Sequence, residues 1–291
     1  MGKLNEKSFG IITQFDLRKP SVKVLYCVFF VICFAVVLFA IAPALWLFVN
    51  SVRNIQDFAN ATTLWPERFD FQGFADAWNA MNFVRYYMNS LFVVIGCVIC
   101  AVVFNGLLAY AIAMIKPKGY KIVNTLVLWS LMIPATTSIV PLFVNINNFG
   151  LTGTYWPLWL SIGANAFYVT LYKSFYESLP FALIEAARLD GCSDLQIFFR
   201  IVLPLSGSIN VVIIMYAITA AWSDFLLPYL VLRKPEMQTV MVKLFTLQQD
   251  KQSDPMEVLR AVVFSVIPPV ILFVIFQKQI TEGVALSGIK G

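Results

Sequence analysis

Few side chains in this sequence could do covalent chemistry, and those few stand in unusual company. There is no histidine among the 291 residues, which removes the commonest general base, the commonest zinc ligand and any Ser-His-Asp triad. No Gly-x4-Gly-Lys-Ser/Thr loop occurs either, so the chain binds no ATP in the P-loop manner. Cys97 and Cys100 have the CxxC spacing of a redox or metal pair, but they fall in a long apolar run, where small helix-packing residues are the plainer reading. Asp224 is the one acid embedded in an apolar run, and a carboxylate at membrane depth is costly enough to be a functional candidate. The remaining chemistry lies in a polar segment that carries Glu185, Ala186 and Ala187, then Gly191, then Ile201, Leu203 and Pro204. A polar segment of this size, wedged between two apolar stretches, points to docking rather than catalysis.

The elements that hold these residues follow from composition. Hydrophobic residues make up 59% of the chain and charged residues 13%, where a soluble domain carries about a quarter charged. Charge-free runs cover residues 24–52, 86–115, 122–172, 201–223 and 261–277. A crossing takes roughly 20 apolar residues, so the third run holds two helices, parted by the polar, Gly-rich stretch from Asn145 to Gly153. Six transmembrane helices result, in an all-α membrane protein. The first run is longer than the apolar core of a signal peptide, about 7 to 15 residues, and reads as an uncleaved span.

Basic residues orient the spans. Lys3, Lys7, Arg18, Lys19 and Lys23 precede the first, Lys116, Lys118 and Lys121 follow the second, and the turn after the third has none. By the positive-inside rule both termini and the polar segment lie in the cytoplasm. The organisation is then a cytoplasmic arm, 1–23, and a transmembrane domain, 24–291. That domain has outer loops at 53–85 and 233–260, a cytoplasmic hairpin at 173–206 between the fourth and fifth spans, and a cytoplasmic tail at 278–291. The 233–260 segment also holds five basic residues and opposes the rule. Of the five cysteines, Cys27, Cys33, Cys97 and Cys100 lie in spans and Cys192 in the hairpin. That placement gives no disulfide framework.

The hairpin has local signals of its own. Pro180 suits a first helical turn, Gly191 accepts the left-handed conformation that stops a helix, and Ser193 with Gln196 spells a capping box for a second helix. Pro204 marks a kink or the start of the fifth span. Ala186 and Ala187 are small enough to let a partner approach closely. The plain alternative is an amphipathic loop helix resting on the membrane.

Glu185-Ala186-Ala187, three residues, Gly191, nine residues, Ile201-x-Leu203-Pro204 resembles, position for position, the EAA motif of permease subunits in bacterial ABC importers. Further segments are similar to the carbohydrate-importing, maltose-type class with a six-span permease. They are Asn89-Ser90-Leu91, Ile133-Pro134, Pro141-Leu142-Phe143, Gly150-Leu151-Thr152 and Trp222-Ser223-Asp224-Phe225-Leu226 with Pro228. The chain closes on a family-like tail from Gly283, in which Gly288, Lys290 and Gly291 are candidates for contact with the ATPase, although the tail departs from the usual wording.

The resemblance implies a transport subunit that is not an enzyme and binds no cofactor itself. Two cytoplasmic ATPases carry ATP and Mg, a second homologous permease completes the pore, and an extracytoplasmic protein delivers a carbohydrate; no nucleic acid is involved. Glu185 would pair with a basic residue of the ATPase, Gly191 would set the angle between the hairpin helices, and Ile201 to Pro204 would pass movement into the fifth span.

Counting about 1.5 Å per residue from Ser206, Asp224 lies roughly 27 Å along the fifth span, near its outer boundary. It is a candidate for the solute path or outer gate with Trp222, or an interfacial anchor beside it. The seven tryptophans, Trp46, Trp65, Trp78, Trp129, Trp156, Trp159 and Trp222, read mainly as interfacial anchors. Gly106, Ala109 and Ala113 look like a helix-packing face. Rival readings are the same architecture for a non-sugar solute or phosphorylated polyol, an ion-coupled secondary transporter, and a membrane enzyme. The single embedded acid and the missing histidine disfavour the last two.

Overall fold

A computed structural model describes residues 20–60, 63 and 65–288, and among them every regular element is helical. Most of the N-terminal arm, and Lys290 and Gly291 of the expected ATPase-contacting tail, lie outside the described residues. The chain divides into two compact units, one ending at Phe71 and the other starting at Gln72.

In the first unit, α1 (Pro20–Ser51) is apolar along its length, and its Val22–Ser51 portion is long enough to cross a membrane. Beyond it, Asn54 caps the short α2 (Ile55–Ala59) by accepting from the Asp57 N–H at 2.7 Å. Arg53 is buried, paired with Asp57 at 3.3 Å and donating to the Thr63 carbonyl at 2.6 Å.

The second unit begins in α3 (Phe71–Ala80) and is organised around α4 (Phe83–Tyr110), which continues through one π turn to Ile115. Lys116 and Gly119 both have positive φ, so the chain reverses sharply at the basic loop expected after this span. Then come α5 (Tyr120–Ser130), α6 (Ala135–Asn148), α7 (Trp156–Gly163) and α8 (Ala166–Tyr176). Next are α9 (Phe181–Leu189), α10 (Asp194–Ile197), a π turn from Phe198 to Val202, α11 (Leu203–Leu205) and α12 (Gly207–Ser223). The chain ends in α13 (Leu226–Val231), α14 (Val240–Gln249) and α15 (Pro255–Gly288). Helices α7, α8 and α12 pack on α4. One core gathers on the N-terminal half of α4, around Phe83, Trp222, Val240 and Phe264; the other gathers on its C-terminal half, around Tyr110, Tyr172, Tyr176, Ile197 and Phe198.

Six unbroken spans are not what the described residues form. Three helices are long and apolar enough to cross, Val22–Ser51, Phe83–Ile115 and Pro255–Gln277, and a fourth results if α10–α11 and α12, bent by 87° at their junction, count as one. The expected third span is cut between α5 and α6. Pro134 supplies no N–H and is extended there (ψ 131°), which ends α5 and restarts the chain as α6. The expected fourth span is cut between α7 and α8 at Ala164 and Asn165. Apolar runs record burial, whereas helix breaks depend on single residues within them.

The two expected outer loops are also more structured than their polarity suggests. Residues 53–85 are divided between the two units. Segment 233–260 holds α14, whose Val240, Val242, Leu244 and Leu247 are buried, and it delivers Met256 and Arg260 into the interior.

Candidate functional site

The polar hairpin is built from its turn outward. Helix α9 ends in a Schellman arrangement: the Gly191 N–H donates to the Arg188 carbonyl and the Cys192 N–H to the Ala187 carbonyl, both at 3.0 Å. Gly191 has φ +79°, a left-handed conformation that costs other residues energy. Ser193 then starts α10 with the expected capping box. Its N–H donates to Gln196 Oε1 at 2.8 Å, and its Oγ accepts from the Gln196 N–H at 3.4 Å. An exposed ion pair, Arg188 to Asp194 at 3.0 Å, spans the turn from outside.

The two faces of the hairpin differ. Ile184, Ala187, Ile197, Phe198 and Val202 are buried in the core at the C-terminal half of α4. Gly106 of α4 is close-packed there, since a Cβ would lie 3.2 Å from the Phe198 ring. Glu185 and Ala186 are exposed, together with Leu189, which is 88% exposed, and Leu195. Ala187, expected to face a partner, is turned into the chain's own core. Ile201 and Leu203 are half-buried, and Pro204 is exposed near the end of the second helix.

At Ser206 the helix turns through 87° into α12. A polar relay holds the corner: Tyr172 Oη donates to Asn210 Oδ1 at 2.9 Å, and Asn210 Nδ2 donates to the Leu203 carbonyl at 2.8 Å. Ser206 Oγ donates to the Val202 carbonyl at 2.6 Å. Movement of the hairpin therefore meets α12 through hydrogen bonds as well as through the chain.

At the other half of α4, side chains fasten the segment before α14. Asn89 Nδ2 donates to the carbonyls of Glu236 and Gln238 at 2.8 and 2.9 Å, Ser90 Oγ accepts from the Val240 N–H at 2.9 Å, and Tyr155 Oη donates to the Met237 carbonyl at 3.1 Å. Trp222 is not an interfacial anchor. It is buried, donating from Nε1 to the Ser265 carbonyl at 3.0 Å and packing edge-on against Tyr87. Asp224 stands just past the end of α12, not within it, and its Oδ1 accepts from the Leu226 and Leu227 N–H groups at 3.0 and 3.4 Å, which starts α13. Trp78 and Trp159 likewise join ring clusters in the interior, whereas Trp46, Trp65, Trp129 and Trp156 are exposed. Gly288 closes α15, and the described residues give it no site.

This helical arrangement has known counterparts. Residues 101–285, which include the hairpin and its corner, match the family described as binding-protein-dependent transport system inner membrane component. The chain belongs to that family. It is 28% identical to the diacetylchitobiose uptake system permease protein NgcG of Streptomyces coelicolor, over 84% of this chain and 82% of the relative. It is 33% identical to the arabinooligosaccharides transport system permease protein AraQ of Halalkalibacterium halodurans, over 71% of this chain and 74% of the relative. In fold it is similar to a chain from the crystal structure of a bacterial ABC transporter involved in the import of the acidic polysaccharide alginate. The TM-score is 0.81 at 22% identity, with 89% of this chain and 98% of that chain covered. The protein is thus an inner-membrane transport component with several apolar helices.

Sequence reasoning passed over Asn105, Tyr172, Ser206 and Asn210. Their signal was present, since an amide in an uncharged apolar run needs partners inside the membrane, but a charge-based search does not register it.

Proposed function

We propose that this chain is one permease of a bacterial ABC importer for an oligosaccharide, working by alternating access with a second, homologous permease. It crosses the membrane six times, two of the crossings being the broken pairs α5–α6 and α7–α8, and both termini are cytoplasmic. Two cytoplasmic ATPases bind ATP and Mg and grip the hairpins, and an extracytoplasmic binding protein delivers the sugar. Glu185, Ala186, Leu189 and Leu195 form the surface offered to the ATPase. Gly191 fixes the angle between the hairpin helices, and Ile201, Leu203 and Pro204 lead the displacement into α12. The tail beyond Gly288, with Lys290 and Gly291, is a second ATPase contact, and Asp224 with Trp222 belongs to the outer end of the path.

The observation that carries this reading is the hairpin itself: a rigid two-helix unit with one face in the core and the other exposing a carboxylate amid apolar side chains, joined to α12 by a hydrogen-bonded corner. The carbohydrate class is supported by the relatives that are named for diacetylchitobiose and arabinooligosaccharides.

The test is uptake in cells that express this chain with the permease, ATPase and binding protein encoded beside it. Radiolabelled diacetylchitobiose, arabinotriose, galactotriose and raffinose are offered in turn. Energy-dependent accumulation of at least one, lost when this chain is deleted, is expected. Accumulation of none, with the assembled complex present in the membrane, sinks the oligosaccharide reading.

A further inference from the structure

Helix α15 holds two consecutive prolines, Pro268 and Pro269, in its interior. Neither has an N–H, so the carbonyls four residues earlier, those of Phe264 and Ser265, lack the donors that an unbroken helix supplies. Both residues are buried, where an unpaired backbone oxygen is costly. Those same two carbonyls are the acceptors of side chains from two other helices. Tyr87 Oη, in the second turn of α4, donates to the Phe264 carbonyl, and Trp222 Nε1, in the last turn of α12, donates to the Ser265 carbonyl at 3.0 Å. The two donors also meet edge-on, with ring centroids 5.6 Å apart.

The prolines divide α15 by packing as well. Before them, Ala261, Val263, Phe264 and Ser265 are buried, and the Phe264 ring lies 5.6 Å from Phe74, 5.0 Å from Trp78 and 5.0 Å from Phe83. After them, Val270, Ile271, Phe273, Val274 and Ile275 are exposed in this chain. One half of the helix is thus embedded in the unit, and the other extends from it past the proline step. Sharp helix bends concentrate at proline, because a missing hydrogen bond no longer resists them.

We propose that Pro268-Pro269 is a hinge in α15 and that Trp222 and Tyr87 are positioning residues that set its angle during transport. The inference deepens the importer reading above and rests on it. Helix α12 leaves the hydrogen-bonded corner at Ser206 and reaches Trp222 roughly 24 Å along its axis. Displacement of the hairpin therefore arrives at the Ser265 carbonyl through one helix and one hydrogen bond. Tyr87 belongs to α4, around which the unit is organised, and holds the neighbouring Phe264 carbonyl to the fixed side of the joint. When α12 moves against α4, two adjacent carbonyls are drawn in different directions, and the weakened step beside them takes up the difference. A membrane helix that satisfied its own carbonyls would offer α12 no such handle.

The test uses the complete transporter in vesicles, with both permeases, the ATPases and the binding protein at saturating sugar. It reads uptake per ATP hydrolysed together with the apparent Tm. Trp222→Phe and Tyr87→Phe keep an aromatic ring and delete the donor; each should lower uptake per ATP by about fivefold, the scale of one hydrogen bond, while the complex assembles at wild-type stoichiometry. Pro268→Ala combined with Pro269→Ala restores the N–H groups inside the helix, so the Tm should hold or rise while uptake per ATP falls severalfold. Prolines with a merely structural role predict the same Tm and unchanged transport. Added to Trp222→Phe, the proline changes should recover its Tm but not its transport, because the carbonyl regains a partner that α12 does not carry. Wild-type uptake per ATP in the double proline variant overturns the hinge. So does an unchanged ratio in Trp222→Phe and Tyr87→Phe, which is the deciding measurement if the proline variant fails to assemble. A wild-type complex that imports no sugar is a separate result and strikes the importer reading instead.

Discussion

The Asn105 side chain bridges both sides of a helix break: its Oδ1 accepts from the Asn165 N–H at 2.8 Å, and its Nδ2 donates to the Ile162 carbonyl at 3.0 Å. Asn105 is fully buried on α4, and Asn165 in turn caps α8 by accepting from the Phe167 and Tyr168 N–H groups. One amide thus supplies the partners that an uninterrupted helix would have provided. Close packing completes the joint, because a Cβ on Gly163 would fall 2.9 Å from the Phe104 ring and 3.1 Å from Cys100 Cβ.

Asn105→Leu keeps the volume and removes both partners, taking the Asn105 bond from the N–H of half-buried Asn165 and from the carbonyl of half-buried Ile162. Together these cost about 2–4 kcal/mol. The apparent Tm of the detergent-purified complex should fall by roughly 5 °C or more. A variant with an unchanged Tm in fluorescence-detected size exclusion would falsify the bridging role.

Gly191 makes a different kind of prediction, since nothing lies within 4 Å of where its Cβ would be and the whole cost is the positive φ. Gly191→Ala should cost about 1 kcal/mol, and the β-branched Gly191→Val more, while Gly191→Asn should be the mildest. Insertion and ATPase co-purification should largely survive Gly191→Val, whereas uptake should collapse as the hairpin angle shifts. Full uptake by that variant removes the turn from the coupling mechanism.

How far the sequence led depended on whether a signal was local. The hairpin was legible almost residue by residue, because Gly191, Ser193 and Gln196 act within one turn of themselves. Helix α1 and the long α4 were legible from apolar length alone. Trp222 and Ala187 were misplaced for one reason: exposure of a helix face depends on which neighbours pack there, and residues such as Ser265 and Ile197 meet them only in the folded chain. The break at Ala164 was hidden because its partner, Asn105, is 60 residues away from Asn165 in sequence.

Glu185 is exposed on α9, one residue after the buried Ile184, so its replacement leaves the core intact. Glu185→Lys should place like charge against a basic groove on the ATPase and weaken association by tenfold or more, about 1.4 kcal/mol or above. Pull-down from membranes measures this directly, with uptake as the second readout. An ordinary surface helix would tolerate the change, so wild-type association and transport together count against the docking role.

Orientation has its own test. Asn147 and Lys118 are both exposed, at opposite ends of the α5–α6 pair. In a background without native cysteines, Asn147→Cys should react with an impermeant thiol reagent in intact cells, and Lys118→Cys only after permeabilisation. Labelling of both from outside contradicts the cytoplasmic placement of the basic loop, and of the hairpin with it.

The corner at Ser206 yields the most demanding prediction, because its relay can be taken apart one bond at a time. Tyr172→Phe removes the hydrogen bond to Asn210, whereas Asn210→Leu removes that bond, strands the buried Tyr172 hydroxyl and takes one of two donors from the Leu203 carbonyl, which keeps the Ser206 N–H at 3.3 Å. The second change should therefore cost more, about 1–3 kcal/mol beyond the first. In the double variant Tyr172→Phe should add little, since its partner is already gone, and that non-additivity isolates the relay from general damage. If the relay transmits hairpin movement, Asn210→Leu should retain ATPase activity in the purified complex while uptake per ATP hydrolysed falls severalfold. Additive losses of stability with an unchanged transport ratio would reduce the relay to a local brace, with the backbone of α11 and the shared core carrying the link between hairpin and α12 instead.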